Sequence, residues 1–245
     1  MKKHLIVLAM LLIVISASAA SADDTKVSLG LKMWQNKWET EIEPPVGAPK
    51  TFDNGSALMV GPSLNIRFPS QWFIGAAYLV STQDYEAKDY FNAGDTMTFE
   101  RKDLDFTLGY MFNSYFGLFV GYKSIGQDMT YNDPPSVQNL AAGTWELKGT
   151  GIGILGNIPL GETAAIYGSF ALLSMKQNYQ TPTGTNISLD DMAGASIEVG
   201  LAMAFTDTLS ANIGIKSQAF SAKDEFETTT TESFAGLTAG LNFSF

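Results

Sequence analysis

The sequence predicts an all-β fold: an antiparallel up-and-down transmembrane β-barrel of ten strands, with eight or twelve as the alternatives. Three observations carry this. Apolar residues alternate with small or polar ones over many short stretches, the period of a strand with two unlike faces. The connections fall into tight turns and long polar loops, which take turns along the chain. After the N-terminal segment no apolar run is long enough for a spanning helix, so any crossing is made by strands.

The first strand, about 27–38, sets Val27, Leu29, Leu31 and Met33 against Ser28, Gly30, Lys32 and Trp34. A loop with Pro44, Pro45 and Pro49 follows, too rich in proline and charge to pair. The second strand, about 57–68, contains Pro62, which cannot donate to a ladder, so a bulge or a missing bond is expected there. A tight turn at 69–71 leads to the third strand, with Trp72, Ile74, Ala76, Tyr78 and Val80 on one face, and residues 83–97 form the next loop. The fourth and fifth strands flank a turn at 113–115 and carry Leu104, Phe106, Leu108, Tyr110 and Phe112, then Phe116, Leu118, Val120 and Tyr122. Residues 124–143, with Asp133, Pro134 and Pro135, are the third loop. The sixth (145–158) and seventh (163–176) strands flank a turn at 159–162, and their glycines blur which face is which. A loop over 176–192 follows. The eighth and ninth strands meet at 206–208, with Ile197, Val199, Leu201, Met203 and Phe205, then Leu209, Ala211, Ile213 and Ile215. Residues 221–232 are the fifth loop, and 234–245 the tenth strand. A soluble β-sandwich or lipocalin-like cup also alternates, but has no reason to segregate turn lengths.

Lys2 and Lys3, the apolar run from Leu5 to Ile15 and the small residues Ala17, Ala19, Ala20 and Ala22 read as a secretory signal peptide over 1–22, leaving 23–245 as one barrel domain. Removal leaves 13 basic against 25 acidic residues, a net −12, so no general basic surface for nucleic acid remains. Cysteine is absent, and the only histidine, His4, lies in the signal. The loss of histidine removes most familiar catalytic designs.

The final stretch, FAGLTAGLNFSF, alternates cleanly and stops on Phe245. Such an end resembles the bacterial outer-membrane β-barrel proteins. The resemblance implies location in the outer membrane of a Gram-negative cell, contact with its lipid and lipopolysaccharide, and Phe245 as an assembly signal read by the barrel-assembly machinery. It also makes the tight turns periplasmic and the loops external. Phe68, Trp72, Phe112, Phe116, Phe205, Phe243 and Phe245, beside the tight turns, then form a periplasmic aromatic girdle, with Tyr115 near it; Trp38, Tyr78 and Trp145 are expected at the outer rim.

Charges on the polar faces must project into the lumen. Counting outward from the turns sets Asp105 opposite Lys123 and Glu198 opposite Lys216, all at one level. Lys32, Arg67, Arg101 and Asp103 are the other expected lumen charges, with Lys32 near that level and Arg101 and Asp103 above it. Two readings stay open: a salt-bridged interior that fills a narrow barrel, favoured by the barrel's dimensions, and a narrow porin-like channel for small solutes. The resemblance also brings in barrel enzymes such as the omptin proteases, which use aspartates with a histidine; no position after the signal is histidine, so their sets cannot be placed. A hydrolase using loop carboxylates (Asp84 with Glu86, Asp190 with Asp191, Asp224 with Glu225) is the less favoured alternative to a non-enzymatic barrel. No cofactor is expected. Those acids have no EF-hand-like spacing for Ca²⁺, and Gly47, Gly55 and Gly94 form no phosphate-binding fingerprint.

Overall fold

Two-faced strands with tight turns at one end can pair their edge strands by closing on themselves, and the first and last strands of this chain do so. A computed structural model describes residues 25–88, 96–132, 143–180, 184 and 186–245. The predicted signal peptide, Gly94 and the Asp133-Pro134-Pro135 segment lie outside the described residues. The strands are β1 (Lys26–Glu43), β2 (Lys50–Arg67), β3 (Trp72–Ser81), β4 (Tyr85–Lys88), β5 (Thr96–Met111), β6 (Phe116–Asn132), β7 (Gly143–Pro159), β8 (Ala164–Gln180), β9 (Asn186–Ala204), β10 (Leu209–Lys223) and β11 (Thr229–Ser244). Apart from β3 and β4, consecutive strands pair with each other, β1 pairs with β11, and both β3 and β4 pair with β5. β3 and β4 are one stave broken at 82–84, so the closed antiparallel barrel has ten strands.

The tight turns are held by side chains that satisfy the orphan amides. Asn113 Oδ1 accepts from the amides of Tyr115 (2.8 Å) and Phe116 (2.9 Å), and Thr206 Oγ1 from that of Leu209 (3.0 Å). The ladder between β2 and β3 skips Gly61 and Pro62. A Cβ at Gly61 would stand 1.8 Å from the Tyr78 carbonyl oxygen, so glycine permits the pinch beside the proline.

Strand length departs from expectation. The first strand runs on to Glu43 and the second starts at Lys50, and β8 and β9 likewise extend through much of the expected 176–192 loop. Asp190 and Asp191 therefore stand in β9, not in a loop. Crossing a bilayer takes about 9–11 tilted residues, so strands of 15 to 19 residues continue beyond it. The side chains show where the crossing stops. From Val27 to Met33 the outward face of β1 is apolar, and from Gln35 to Glu41 it is polar. The inward face changes in the opposite sense, from Ser28, Gly30 and Lys32 to Trp34 and Trp38, which are 0% and 5% exposed. β11 repeats the change: Leu241 and Leu237 face out below, whereas Phe234 is buried inside above.

The barrel thus has two halves. In the half next to the tight turns, Val120, Ile152, Ile154, Leu172, Ile213 and Leu241 are exposed on the outer wall. Ile152 and Ile154 fix the faces of β7, and Phe170 and Leu172 those of β8. In the far half the core lies inside, built from Trp34, Trp38, Met59, Leu79, Tyr85, Phe99, Ile125, Met175, Phe220 and Phe234. Trp38 stacks on Phe234 with ring centroids 5.6 Å apart and meets Phe99 edge-on at 4.7 Å. Trp38 is therefore a core residue and not part of an outer rim. Trp145 also lies inside, beside Gln127 and Leu147.

Candidate functional site in the lumen

Where the two halves meet, the lumen holds a layer of charge. β5 contributes Arg101, Asp103 and Asp105 at alternate, inward positions; β6 contributes Lys123, β1 Lys32, β9 Glu198 and β10 Lys216. In the ladders Asp105 stands opposite Lys123 and Glu198 opposite Lys216. Lys123 Nζ donates to Asp105 Oδ1 at 2.7 Å. The second facing pair makes no such bond. Glu198 instead accepts from Lys32 at 3.0 Å, and Lys216 reaches across the lumen to lie 3.6 Å from Asp105. Register sets which backbones face each other, but long side chains in a narrow cylinder choose partners across the axis.

At the top of this layer, Arg101 and Asp103 form a two-pronged pair at 2.7 and 2.8 Å, both fully buried. The guanidinium lies 3.7 Å from the Phe234 ring centroid and 5.4 Å from that of Trp34. Lys216 lies 4.7 Å from the same Trp34 ring, so the charges are capped by the floor of the aromatic core.

Below the layer is a cavity of about 600 Å³ lined by Ser63, Asn65, Asn157, Tyr167, Asn212 and Asn242 among others. Tyr167 donates to Glu198 (3.3 Å) and accepts from Asn212 (3.2 Å), which accepts in turn from Asn242 (3.3 Å). Exposure of the inward residues falls with height: on β2 Arg67 and Asn65 are exposed, Ser63 half-buried and Met59 buried. The cavity is a cup that opens at the tight-turn end. Arg67 stands at its mouth with no carboxylate partner among the described residues. The seven aromatics expected to form a girdle lie around the same end. Trp72, Phe112, Phe116, Phe205, Phe243 and Phe245 are exposed on the outer wall and Phe68 is half-buried; Phe245 packs edge-on against Phe243 at 5.0 Å.

Beyond the lipid-facing belt, Glu232 is buried in the aromatic core, where its carboxylate accepts from Trp38 Nε1 and from Thr40 Oγ1 at 2.8 Å. Burial pushes this carboxyl above the usual range, partly offset by those two donors. On the outer wall at the same end, Lys37 bridges Asp53 (2.9 Å) and Glu39 (2.8 Å) across the irregular register between β1 and β2. The Lys37 ammonium and the Gly55 amide hold the Asp53 carboxyl below its usual range.

Glu232, Tyr167 and the aromatic floor lie outside the expected set of lumen residues, whereas Gln218 stands on the polar face of the ninth strand that the alternation predicts. For Glu232 and the floor the signal is alternation that continues past Met33 and Leu237 with its polarity swapped, so a continuing strand reads as a polar loop; Tyr167 lies in β8, where glycines and alanines blur which face is inward. The carboxylates weighed for catalysis are spread over several elements. Asp84 lies at the β3–β4 break, Glu86 in β4, and Asp224 with Glu225 between β10 and β11. Among the described residues no three His, Cys, Asp or Glu side chains are grouped to hold a metal ion.

No curated protein sequence matches the chain. Among solved structures, the outer-membrane protease OmpT of Escherichia coli matches at 13% identity over 92% of this chain and 99% of that one, with a TM-score of 0.58. That likeness is one of barrel fold. Neisserial surface protein A matches at 12% identity, covering 91% and 98% of the two chains, with a TM-score of 0.41. The toluene transporter TodX of Pseudomonas putida matches at 10% identity, covering 91% and 90%, with a TM-score of 0.36. The family model described as the outer membrane protein beta-barrel domain matches residues 6–245, and the chain belongs to that family.

Proposed function

We propose that this outer-membrane barrel is non-enzymatic and closed: a structural, surface-exposed protein whose lumen is sealed near the lipid boundary. One observation carries the reading. The interior beyond the charged layer is a packed core of Trp34, Trp38, Phe99, Phe220 and Phe234, floored by the buried Arg101–Asp103 pair. A hydrated path would have to displace these rings, and close-packed interiors yield little space without rearrangement. The absence of histidine after residue 4 supports a role without acid–base catalysis. In this reading residues 1–22 direct export, the girdle aromatics sit at the periplasmic interface, and Phe245 serves assembly by the barrel-assembly machinery. The polar outer wall beyond Met33 meets lipopolysaccharide and the outside. The narrow channel is the competing reading. Planar-bilayer recording with the purified barrel separates them: the closed reading expects no steady conductance steps, and steps altered by Lys123→Ala would overturn it.

A further inference from the structure

We infer that the cup at the tight-turn end is a binding site for a small sugar acid, a hydroxylated carboxylate taken from the periplasmic side. The charge of the cup argues for an anion. In a chain with formal net charge −10, the cavity is lined by four cations, Lys32, Arg67, Lys123 and Lys216, and two anions, Asp105 and Glu198. Low-dielectric walls focus such an excess toward the cavity's interior. Arg67, at the mouth and without a carboxylate partner among the described residues, presents the fork of donors that matches a carboxylate.

The walls argue for hydroxyls on that anion. Carboxamides and hydroxyls, which both donate and accept, line the cup, and their partners are mostly one another. One of them is incomplete. Gln218, 2% exposed and lining the cavity, donates through Nε2 to Ser196 Oγ at 3.1 Å, but its Oε1 has no partner among the described residues. That oxygen is itself buried, so a ligand hydroxyl meets it only once the Gln218 side chain turns toward the cavity, and the gain is then one buried hydrogen bond. The apolar surface comes from Phe119, Leu155, Leu173 and several alanines, and Phe119 lies against Gly153 so closely that a Cβ there would stand 2.3 Å from the ring. An aromatic beside amides and hydroxyls suits the apolar and polar sides of a sugar ring. The volume, about 600 Å³, is that of a small-molecule pocket.

The test uses the purified full barrel in detergent micelles, titrated calorimetrically with glucuronate, glucose and acetate. Saturable binding of glucuronate is expected, with glucose and acetate each weaker by about tenfold or more, since each lacks one half of the recognised chemistry. Arg67→Gln should weaken glucuronate by about tenfold, the worth of one charged hydrogen bond, while leaving the heat-shifted gel mobility of the folded barrel unchanged. Ser210 lines the cavity from β10, and Ser210→Trp, which fills the cup, should abolish the binding. No saturable glucuronate binding would overturn the inference. So would equal affinity for glucose or acetate, or binding that survives Ser210→Trp in a folded barrel.

Discussion

The two halves of the barrel share strands and hydrogen-bond ladders, yet each places its apolar side chains where the other places its polar ones. Next to the tight turns Ile213 and Leu237 face outward and Lys216 inward; farther along the same hairpin Ala219 and Ser233 face outward while Phe220 and Phe234 are buried inside. The backbone does not change; the surrounding solvent does. Lipid rewards apolar groups on the outside and leaves the inside to polar groups, whereas water reverses both preferences. Each strand is therefore two amphipathic segments of opposite sign in series.

The boundary itself is the sharpest place to probe this contrast, because a buried ion pair stands between a polar cup and an aromatic core. Asp103→Asn leaves the Arg101 guanidinium buried without its counter-ion, and an expected loss of about 3–5 kcal/mol should appear as a lower urea midpoint in micelles. Replacing both partners, Arg101→Met with Asp103→Leu, should restore most of that stability, since the site would then join the core above it. A double variant no better than Asp103→Asn would show that the layer belongs to the hydrated half.

The halves also predict opposite tolerance on the outer wall. Ile213, 59% exposed and opposite Leu201 in the lipid-facing belt, should lose about 2–4 kcal/mol as Ile213→Lys. Ala193, four residues beyond Ile197 on β9 and also outward, should lose about 0–1 kcal/mol as Ala193→Lys. Equal losses in unfolding titrations would remove the solvent boundary from the account.

This arrangement explains what could be read in advance. Turn chemistry and alternation near the turns are local, so the hairpin count from Asn113 to Tyr115 sets Asp105 against Lys123, and the ladder has the two residues opposite. The partner exchange, Lys32 to Glu198 and Lys216 to Asp105, depends on closure of the barrel across its axis, which no local spacing encodes. Trp38 illustrates a different loss. An aromatic near a strand's outer end reads as a rim residue, but Trp38 shares the inward parity of Lys32 and Trp34 and is buried there, where water rather than lipid surrounds the wall.

Glu232 tests whether the far half is a dry core. Burial holds its carboxyl above the usual range, so the folded state keeps the proton at pH values where the unfolded chain releases it. The sign follows: this site favours the fold below the unfolded carboxylate value, about 4.3, and that contribution is lost as pH rises through the folded value. Glu232→Gln retains an oxygen acceptor for Trp38 Nε1 and Thr40 Oγ1 but cannot ionise. The variant should therefore match wild type near pH 4 and exceed it near pH 8, by less than either effect above. A water-filled upper lumen would solvate the carboxylate at little cost, and the two unfolding curves would then stay parallel across the whole pH range.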